Sequence, residues 1–217
     1  MDNTRFFDQL QQGCQTLGVG VGEDVPAKLL RLMNELLKWN AKVNLTAITE
    51  PEEVLEKHFL DSLAVLPEVE GAASLLDLGA GAGFPGIPLK LARPALTVTL
   101  VDAVGKKVGF LKAAIATLGL KEARGLHARA EGHPEDEGIP RAELLIARAF
   151  MDLPDWLNLA PAYLLPGGRV VAMLGKAQPD EELHARAAER KLRLVSARQY
   201  RLPFSGAGRQ VAVFSHA

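Results

Sequence analysis

The feature that most constrains this chain is a glycine-rich run that follows directly on a short apolar segment. Leu75–Leu78 breaks into Gly79–Gly86, and Asp77 precedes the break. A strand that ends in a glycine turn lets the backbone approach a ligand closely. A second apolar run, Thr97–Val101, ends in Asp102, and a carboxylate after the second strand can bind ribose hydroxyls. Together they predict a site for a nucleoside-containing cofactor.

The spacing of the glycines favours S-adenosylmethionine over a dinucleotide. The dinucleotide fingerprint needs a third glycine for close helix–strand packing. Counted from Gly79 and Gly81, that position is Phe84, whereas a glycine occurs one residue earlier, at Gly83. This pattern resembles the first motif of Rossmann-like methyltransferases, whose cofactor has no pyrophosphate to bind. The alternative is a strand–turn–helix unit whose glycines serve packing alone.

Composition excludes several other classes of protein. With 217 residues, 48% hydrophobic and 24% charged, the chain can form one well-packed domain with or without an appendage. Cys14 is the single cysteine, which excludes an internal disulfide and a cysteine-built metal site, and we expect no metal. There is no membrane-length apolar run and no signal-peptide pattern near the N-terminus. We therefore expect a soluble cytoplasmic protein without a membrane partner.

Charge is unevenly distributed along the chain. The net charge of −1 does not by itself suggest a nucleic-acid partner. Residues 1–100 carry 8 basic and 13 acidic side chains, whereas residues 101–217 carry 17 and 13. This asymmetry permits a basic surface on the second half, and a solvated face of mixed charge explains it equally well.

The pattern of apolar residues divides the chain into a helical extension, residues 1–66, and a body, residues 67–217. Helical spacing predicts one helix over 24–43, and Thr49–Glu52 matches a capping box that opens a second. In the body, short apolar runs alternate with helical patterns, which predicts a mainly parallel sheet. Strands are predicted at 74–79, 97–102, 125–128, 143–148 and 168–174, helices at 104–118 and 178–191, and a terminal hairpin at 193–200 and 210–214.

The predicted fold is therefore α/β and Rossmann-like, of the class I methyltransferase type. It has a mostly parallel seven-stranded sheet, an antiparallel last strand and additional N-terminal helices. Ligands of such sheets bind beyond the carboxyl ends of the strands.

Three polar side chains, His58, Asp61 and Ser62, share one face of the second helix. They cannot form a hydrolase triad, because side chains on adjacent turns point the same way. We expect a solvated face or a polar contact between elements; the alternative is that this face lines the mouth of the active site.

Residues after the later strands complete the candidate site. Arg148 ends the fourth strand, where a charge must find solvent or a partner, and we expect a functional role. Ala130 and Glu131 follow the third strand, at the place for an adenine ring and its amino group, although Glu131 is equally consistent with a solvated loop. Lys176 follows the fifth strand as either a surface lysine or a substrate contact.

Absent residue types narrow the methyl acceptor. Methylation of a pyrimidine carbon needs a cysteine nucleophile, and Cys14 lies before the Rossmann-like body. Methylation of an exocyclic amine commonly uses an Asn/Asp-Pro-Pro-aromatic clamp after the fourth strand. Here the fourth strand is followed by Ala149-Phe150-Met151. A ring nitrogen has a free lone pair and needs only in-line positioning. A ring nitrogen therefore fits best.

Four segments resemble the bacterial 16S rRNA guanine-N7 methyltransferases, also called glucose-inhibited division protein B. They are Trp39–Ile48, Lys57–Leu63, Asp77–Gly86 and Ala147–Ala149, and the likeness runs from about residue 28 to 176. The resemblance implies methylation of guanine 527 of 16S rRNA, as free RNA or in the small subunit.

The resemblance also implies roles for individual residues. Cofactor contacts fall on Gly79, Phe84, Ala130, Glu131 and Arg148, and Asp102 occupies the acidic ribose position. The turn from Gly79 to Gly83 would hold the methionine portion. Arg148 would contact the methionine carboxylate or the RNA, and Asn44, His58 and Lys176 are candidates on the substrate side.

Two alternatives stay open at this point. One is a methyltransferase that acts on a small molecule or a protein. The other is a cofactor-binding scaffold for ribosome assembly that has no catalytic activity.

Overall fold

The computed structural model describes residues 1–217 as a seven-stranded sheet with helices on both faces. The helices are α1 (Asn3–Leu17), α2 (Val25–Val43), α3 (Pro51–Val54), α4 (Asp61–Leu63), α5 (Gly86–Ala92), α6 (Gly105–Leu118), α7 (Pro134–Glu137), α8 (Leu153–Leu159) and α9 (Asp180–Ala188). A π-helical stretch, Leu55–Leu60, joins α3 to α4, and 3₁₀ turns lie at Leu66–Val69 and Ala160–Tyr163.

The strands are β1 (Ser74–Leu78), β2 (Thr97–Asp102), β3 (Ala123–His127), β4 (Ala142–Arg148), β5 (Leu164–Leu174), β6 (Leu192–Arg201) and β7 (Gly208–His216). Their order is β3-β2-β1-β4-β5-β7-β6. All neighbours pair in parallel except β7, which is antiparallel to both β5 and β6. The predicted fold class is confirmed, including the antiparallel last strand.

Alternating strand residues bury the two faces of the sheet in separate cores. Leu75 and Leu144 face a core shared with α1, α2, α5 and α6, whereas Leu76 and Leu145 face a core shared with α8 and α9. Because the first core includes Phe6 and other residues of the N-terminal helices, the helical extension packs directly on the sheet. No helix combines the length and the apolar character that crossing a membrane requires.

One local expectation fails. The capping box at Thr49–Glu52 is wrong: the helix begins at Pro51, and Glu50 occupies the N-cap without a side-chain capping bond. Proline suits the first helical position because the amide hydrogen that it lacks has no partner there. With the start shifted by one residue, Glu53 takes the third helical position and pairs instead with Lys57, at 2.5 Å.

The helix α1 was not predicted, although its sequence carries a signal. Phe6, Leu10 and Cys14 recur at four-residue spacing and are buried. The Asp2 side chain accepts a hydrogen bond from the amide of Arg5 and thereby caps the helix, which ends at a left-handed Gly18. The other boundaries differ from the predictions by a few residues: β3 starts at Ala123 rather than 125, β5 at Leu164 rather than 168, and α9 covers 180–188.

Candidate active site

A cleft runs along the carboxyl ends of β1, β2 and β4. It consists of two cavities, of about 580 Å³ and about 250 Å³, and Gly79 lines both. We call the larger one the Arg148 end and the smaller one the Asp102 end. The Arg148 end is lined by residues that include Leu45, Thr46, Lys57, His58, Asp61, Gly81, Phe84, Lys107, Arg148, Gly175 and Arg209. The Asp102 end is lined by residues that include Asp102, Ala128, Ala130, Glu131 and Phe150.

The turn after β1 needs glycine for its backbone shape and for space. Gly79 and Gly83 have φ angles of 70° and 86°, which side chains rarely adopt. A Cβ at Gly79 would lie 2.1 Å from the ring of Phe150, so this ring packs directly on the turn between the two cavities. Asp77 accepts a hydrogen bond from the Gly86 amide at 2.8 Å, and burial raises the pKa of Asp77 to about 7.

Asp102, at the end of β2, holds the turn from the other side. One of its carboxylate oxygens accepts a hydrogen bond from the Gly81 amide at 2.9 Å, and the other accepts from the Val104 amide at 2.8 Å. Each oxygen has a second lone pair, so the carboxylate can also accept hydrogen bonds from a ligand. The Lys107 ammonium lies 3.9 Å away.

Ala130 and Glu131 lie in the loop after β3, and the backbone of this loop is fixed by side chains. The amide of Glu131 donates to Glu137 Oε1 at 2.8 Å. The amide of Gly132 donates to the hydroxyl of Tyr163 at 2.8 Å, and that hydroxyl donates in turn to Glu137. The Glu131 side chain is exposed and lines the Asp102 end.

Arg148 ends β4 and turns its guanidinium toward the helical extension. Nη1 donates to the carbonyl of Lys57 at 2.6 Å and to Asp61 Oδ2 at 3.2 Å. Nη2 bonds His58 Nδ1 at 2.9 Å, and Cζ lies 5.6 Å from the centroid of the Phe84 ring. The structure therefore brings together Phe84, His58 and Arg148, which the sequence placed on three separate segments.

His58 and Asp61 are buried rather than solvated, with exposed fractions of 6% and 3%. The solvated interpretation of this helix face is wrong; the face forms a polar contact between elements and lines the cavity. The imidazole of His58 stacks on Phe84, with ring centroids 4.4 Å apart and an interplanar angle of 5°. Burial and the charge of Arg148 lower the pKa of His58 to about 3, so the ring is neutral at physiological pH. The Ser62 hydroxyl donates to the carbonyl of His58.

Asn44 and Lys176 are exposed at the rim of the Arg148 end. Neither lines the cavity itself, but their chain neighbours Leu45 and Gly175 do. Asn44 ends α2 in the left-handed region, at φ 45°.

Several residues of the site were missed. Asn40 shapes the loop after α2, because its side chain accepts hydrogen bonds from the amides of Leu45 and Thr46 at 2.6 and 2.9 Å. Tyr200 and Arg209, on the terminal hairpin, reach Asp61. The polar residues of segment 39–46, which packing alone does not explain, were a usable signal for Asn40; no local pattern marks the two hairpin residues.

The residues of the cleft fit S-adenosylmethionine. One end of the cleft offers a carboxylate, Asp102, for hydroxyl groups, and the other offers a cation, Arg148, for a carboxylate. The turn between them, residues 79–83, consists of glycine and alanine and therefore carries only small side chains. The carboxylate and the cation are the groups that a ribose and an amino-acid moiety require of a binding site.

Comparisons with known proteins identify the family of the chain. The profile of a family described as rRNA small subunit methyltransferase G matches residues 26–212. The chain belongs to this family. It is 80% identical over 215 residues to ribosomal RNA small subunit methyltransferase G of Myxococcus xanthus, covering 99% of each chain. It is 49% identical to the protein of that name from Anaeromyxobacter dehalogenans, covering 95% of this chain and 96% of the relative.

Solved structures support the fold. An S-adenosylmethionine-dependent methyltransferase from Thiobacillus denitrificans, solved with S-adenosyl-L-homocysteine, aligns with a TM-score of 0.55 at 13% identity. The alignment covers 84% of this chain and 97% of the other. The family expected from the resemblance is thus confirmed, and the chain shares the fold of this methyltransferase class.

Proposed function

We propose that this chain transfers a methyl group from S-adenosylmethionine to N7 of a guanine in 16S rRNA, at guanine 527. The observation that carries the proposal is the cleft with Asp102 at one end and Arg148 at the other, in a member of a family named for methylation of small-subunit rRNA. We place this reaction in the cytoplasm, on free 16S rRNA or on the small ribosomal subunit.

The methyl donor is S-adenosylmethionine, which supplies an electrophilic methyl group on a sulfonium. Asp102 accepts hydrogen bonds from the ribose hydroxyls, and Ala130 and Glu131 bind the adenine. The backbone from Gly79 through Gly81 to Gly83 follows the methionine portion. Phe84 supports this side of the cleft through its stack with His58.

Arg148 supplies the positive charge for the methionine carboxylate. Three of its five N–H groups are used within the protein, so the Nε hydrogen and one Nη2 hydrogen are left for a ligand. Charged N–H donors of this kind form short, strong hydrogen bonds with a carboxylate.

The chain needs no general base for this reaction. The N7 lone pair of guanine is free, so the protein contributes binding and in-line orientation rather than proton transfer. His58, which lines the cavity, is not suited to act as a base. Both its ring nitrogens contact protein groups, Arg148 and Thr46, and its pKa is lowered.

On the substrate side we place Asn44 and Lys176 at the rim, with Lys107 and Arg209 as cations that line the cavity mouth. Phosphate contacts by such side chains give salt-sensitive affinity for RNA. We assign the helical extension, residues 1–66, to covering the methyltransferase domain, residues 67–217, and shaping the RNA entrance.

Incubation with labelled S-adenosylmethionine tests the proposal. The substrates are small subunits and naked 16S rRNA from cells that lack this methylation, compared with total protein and small-molecule extracts. We expect label in 16S rRNA alone and, after digestion, N7-methylguanine from the fragment that contains guanine 527. Label in protein or in a small molecule would establish a different acceptor. Cofactor binding without any transfer would identify a scaffold.

A further inference from the structure

The guanidinium of Arg148 is held by groups from one short helical segment. The carbonyl of Lys57, the ring of His58 and the carboxylate of Asp61 lie within hydrogen-bond distance, at 2.6, 2.9 and 3.2 Å. The π-helical stretch Leu55–Leu60 presents the first two, and Asp61 opens α4 directly after it. Two N–H groups of Arg148 have no protein partner, and the residue lines the cavity. The protein contacts thus fix the orientation of those two groups.

The contact with Arg148 determines the tautomer of His58. A guanidinium has no acceptor, so Nδ1 of His58 must accept the hydrogen bond and the ring proton must lie on Nε2. Nε2 in turn faces the hydroxyl of Thr46 at 3.1 Å, an oxygen that also accepts from the Ile48 amide. The neutral ring of His58 therefore links the loop after α2 to Arg148: Nε2 donates to Thr46, and Nδ1 accepts from Arg148.

Asp61 connects the same cation to the terminal hairpin. Its Oδ2 pairs with Arg148, while its Oδ1 accepts from the Tyr200 hydroxyl at 2.8 Å and lies 3.5 Å from Arg209 Nε. Burial and the Asp61 carboxylate raise the pKa of Tyr200, so its hydroxyl remains a donor. The buried carboxylate of Asp61 therefore both balances the charge of Arg148 and fixes the direction of its guanidinium.

We propose that His58 and Asp61 are positioning residues, which orient Arg148 so that its two free N–H groups bind the carboxylate of the methyl donor. This rests on the proposed function, since it assigns that carboxylate to the Arg148 end. His58 then acts through Arg148 and contacts neither the methyl group nor the guanine. The expected ligand chemistry is an α-amino acid joined to a nucleoside.

Two ligands separate this role from a structural one. S-adenosylhomocysteine carries the carboxylate, whereas 5′-methylthioadenosine keeps the nucleoside and the thioether but lacks the amino-acid group. In His58→Ala we expect S-adenosylhomocysteine to bind about tenfold more weakly, the size of one hydrogen bond to a charged group. We expect the affinity for 5′-methylthioadenosine to stay within about twofold of the wild-type value. His184→Ala, on the exposed face of α9, is the matched control and should change neither affinity.

Conservative variants test the geometry if His58→Ala does not fold. His58→Asn places an amide oxygen near the position of Nδ1 and can still accept from Arg148. His58→Gln places its amide near Nε2 and keeps only the contact with Thr46. We expect His58→Asn to retain most of the S-adenosylhomocysteine affinity and His58→Gln to lose it. Asp61→Asn, which keeps the acceptor and removes the charge, should weaken the same ligand selectively.

A double-mutant cycle completes the test. If His58 acts through Arg148, adding His58→Ala to Arg148→Ala should cause no further loss of S-adenosylhomocysteine affinity. Additive losses, or equal losses for both ligands, would overturn the positioning role while the proposed function stands. Failure of the wild-type protein to bind S-adenosylhomocysteine would instead overturn the proposed function.

Discussion

The two ends of the cleft are held in place by different kinds of contact. At the Arg148 end, side chains distant in sequence bond one another: Arg148 meets His58 and Asp61 across 90 and 87 positions, and Asp61 meets Tyr200 across 139. At the Asp102 end, side chains hold backbone amides, and several contacts are local, such as Glu137 with the amides of residues 131 and 133. The first end therefore depends on assembly of the whole fold, whereas the second is largely shaped by its own loop.

This difference bears on which residue identities matter. A network of side chains requires a particular acceptor or charge at each position. A substitution at the Arg148 end therefore removes a hydrogen bond or an ion pair of the site itself. A loop held by its amides keeps its backbone shape when its own side chains change, provided that Glu137 and Tyr163 remain. The following predictions test this contrast.

Arg148→Ala should have the largest effect. It removes the two charged N–H donors for the cofactor carboxylate, and we expect methyl transfer to fall about 100-fold, the size of two charge-assisted hydrogen bonds. The fold should persist, because Asp61 keeps Tyr200 and Arg209 as partners. Single-turnover assays together with thermal unfolding measure both quantities. Arg148→Lys should recover little activity, since an ammonium lacks the planar fork. Near-normal turnover of Arg148→Ala would contradict the assignment.

Gly79→Ala tests the junction between the two ends. The added Cβ would collide with the Phe150 ring. We therefore expect S-adenosylhomocysteine to bind about tenfold more weakly, and the free energy of unfolding to be lower. Gly81→Ala is the matched control for strain, because Gly81 also has a positive φ but its Cβ would meet no atom closer than 3.9 Å. Adding Phe150→Ala should restore part of the loss for Gly79→Ala. Equal unfolding free energies for the two alanine variants would contradict the contact with Phe150.

Acidification should destabilise the Arg148 end before the Asp102 end. The pKa of His58 is lowered from 6.5 to about 3, so the stability it contributes is present above pH 6.5 and is lost as pH falls toward 3. Relative to His58→Asn, we expect the unfolding constant of the wild type to rise about tenfold between pH 7.5 and 5.5. Glu137, whose pKa is lowered by the Tyr163 hydrogen bond against the effect of burial, stays charged in this range. Denaturant titrations at the two pH values measure the difference, and parallel curves would contradict it.

Two tyrosine substitutions provide the finest comparison. Tyr163→Phe frees the Gly132 amide at the Asp102 end, and Tyr200→Phe removes a hydroxyl from Asp61 at the Arg148 end. We expect Tyr163→Phe to raise the KM for S-adenosylmethionine about threefold, the size of one neutral hydrogen bond, and to weaken 5′-methylthioadenosine equally. Tyr200→Phe should weaken S-adenosylhomocysteine alone. Calorimetry with both ligands would reveal the opposite pattern if the ends were wrongly assigned.

The contrast between the two ends also explains how much the sequence could predict. The glycine turn and Asp102 could be predicted as candidates because both belong to one βαβ unit, whose apolar runs and turn residues lie within about 30 positions. The hydrogen bond between Asp102 and the Gly81 amide joins residues only 21 positions apart, so this part of the site lies within a short stretch of chain. Arg148 could be predicted as a candidate from its place at the end of a buried strand, but the sequence pattern did not indicate its partners.

What the sequence determined by itself is the mainly parallel sheet, its antiparallel last strand and the edge of the sheet that carries the glycine turn. These follow from hydrophobic periodicity and turn chemistry, which act over a few residues. Only the tertiary structure decided that His58 is a buried neutral acceptor, that Asp61 joins the hairpin to Arg148, and that Phe150 packs on Gly79. Such contacts join segments with no shared periodicity, and the protonation of a buried group depends on the charges that folding brings beside it.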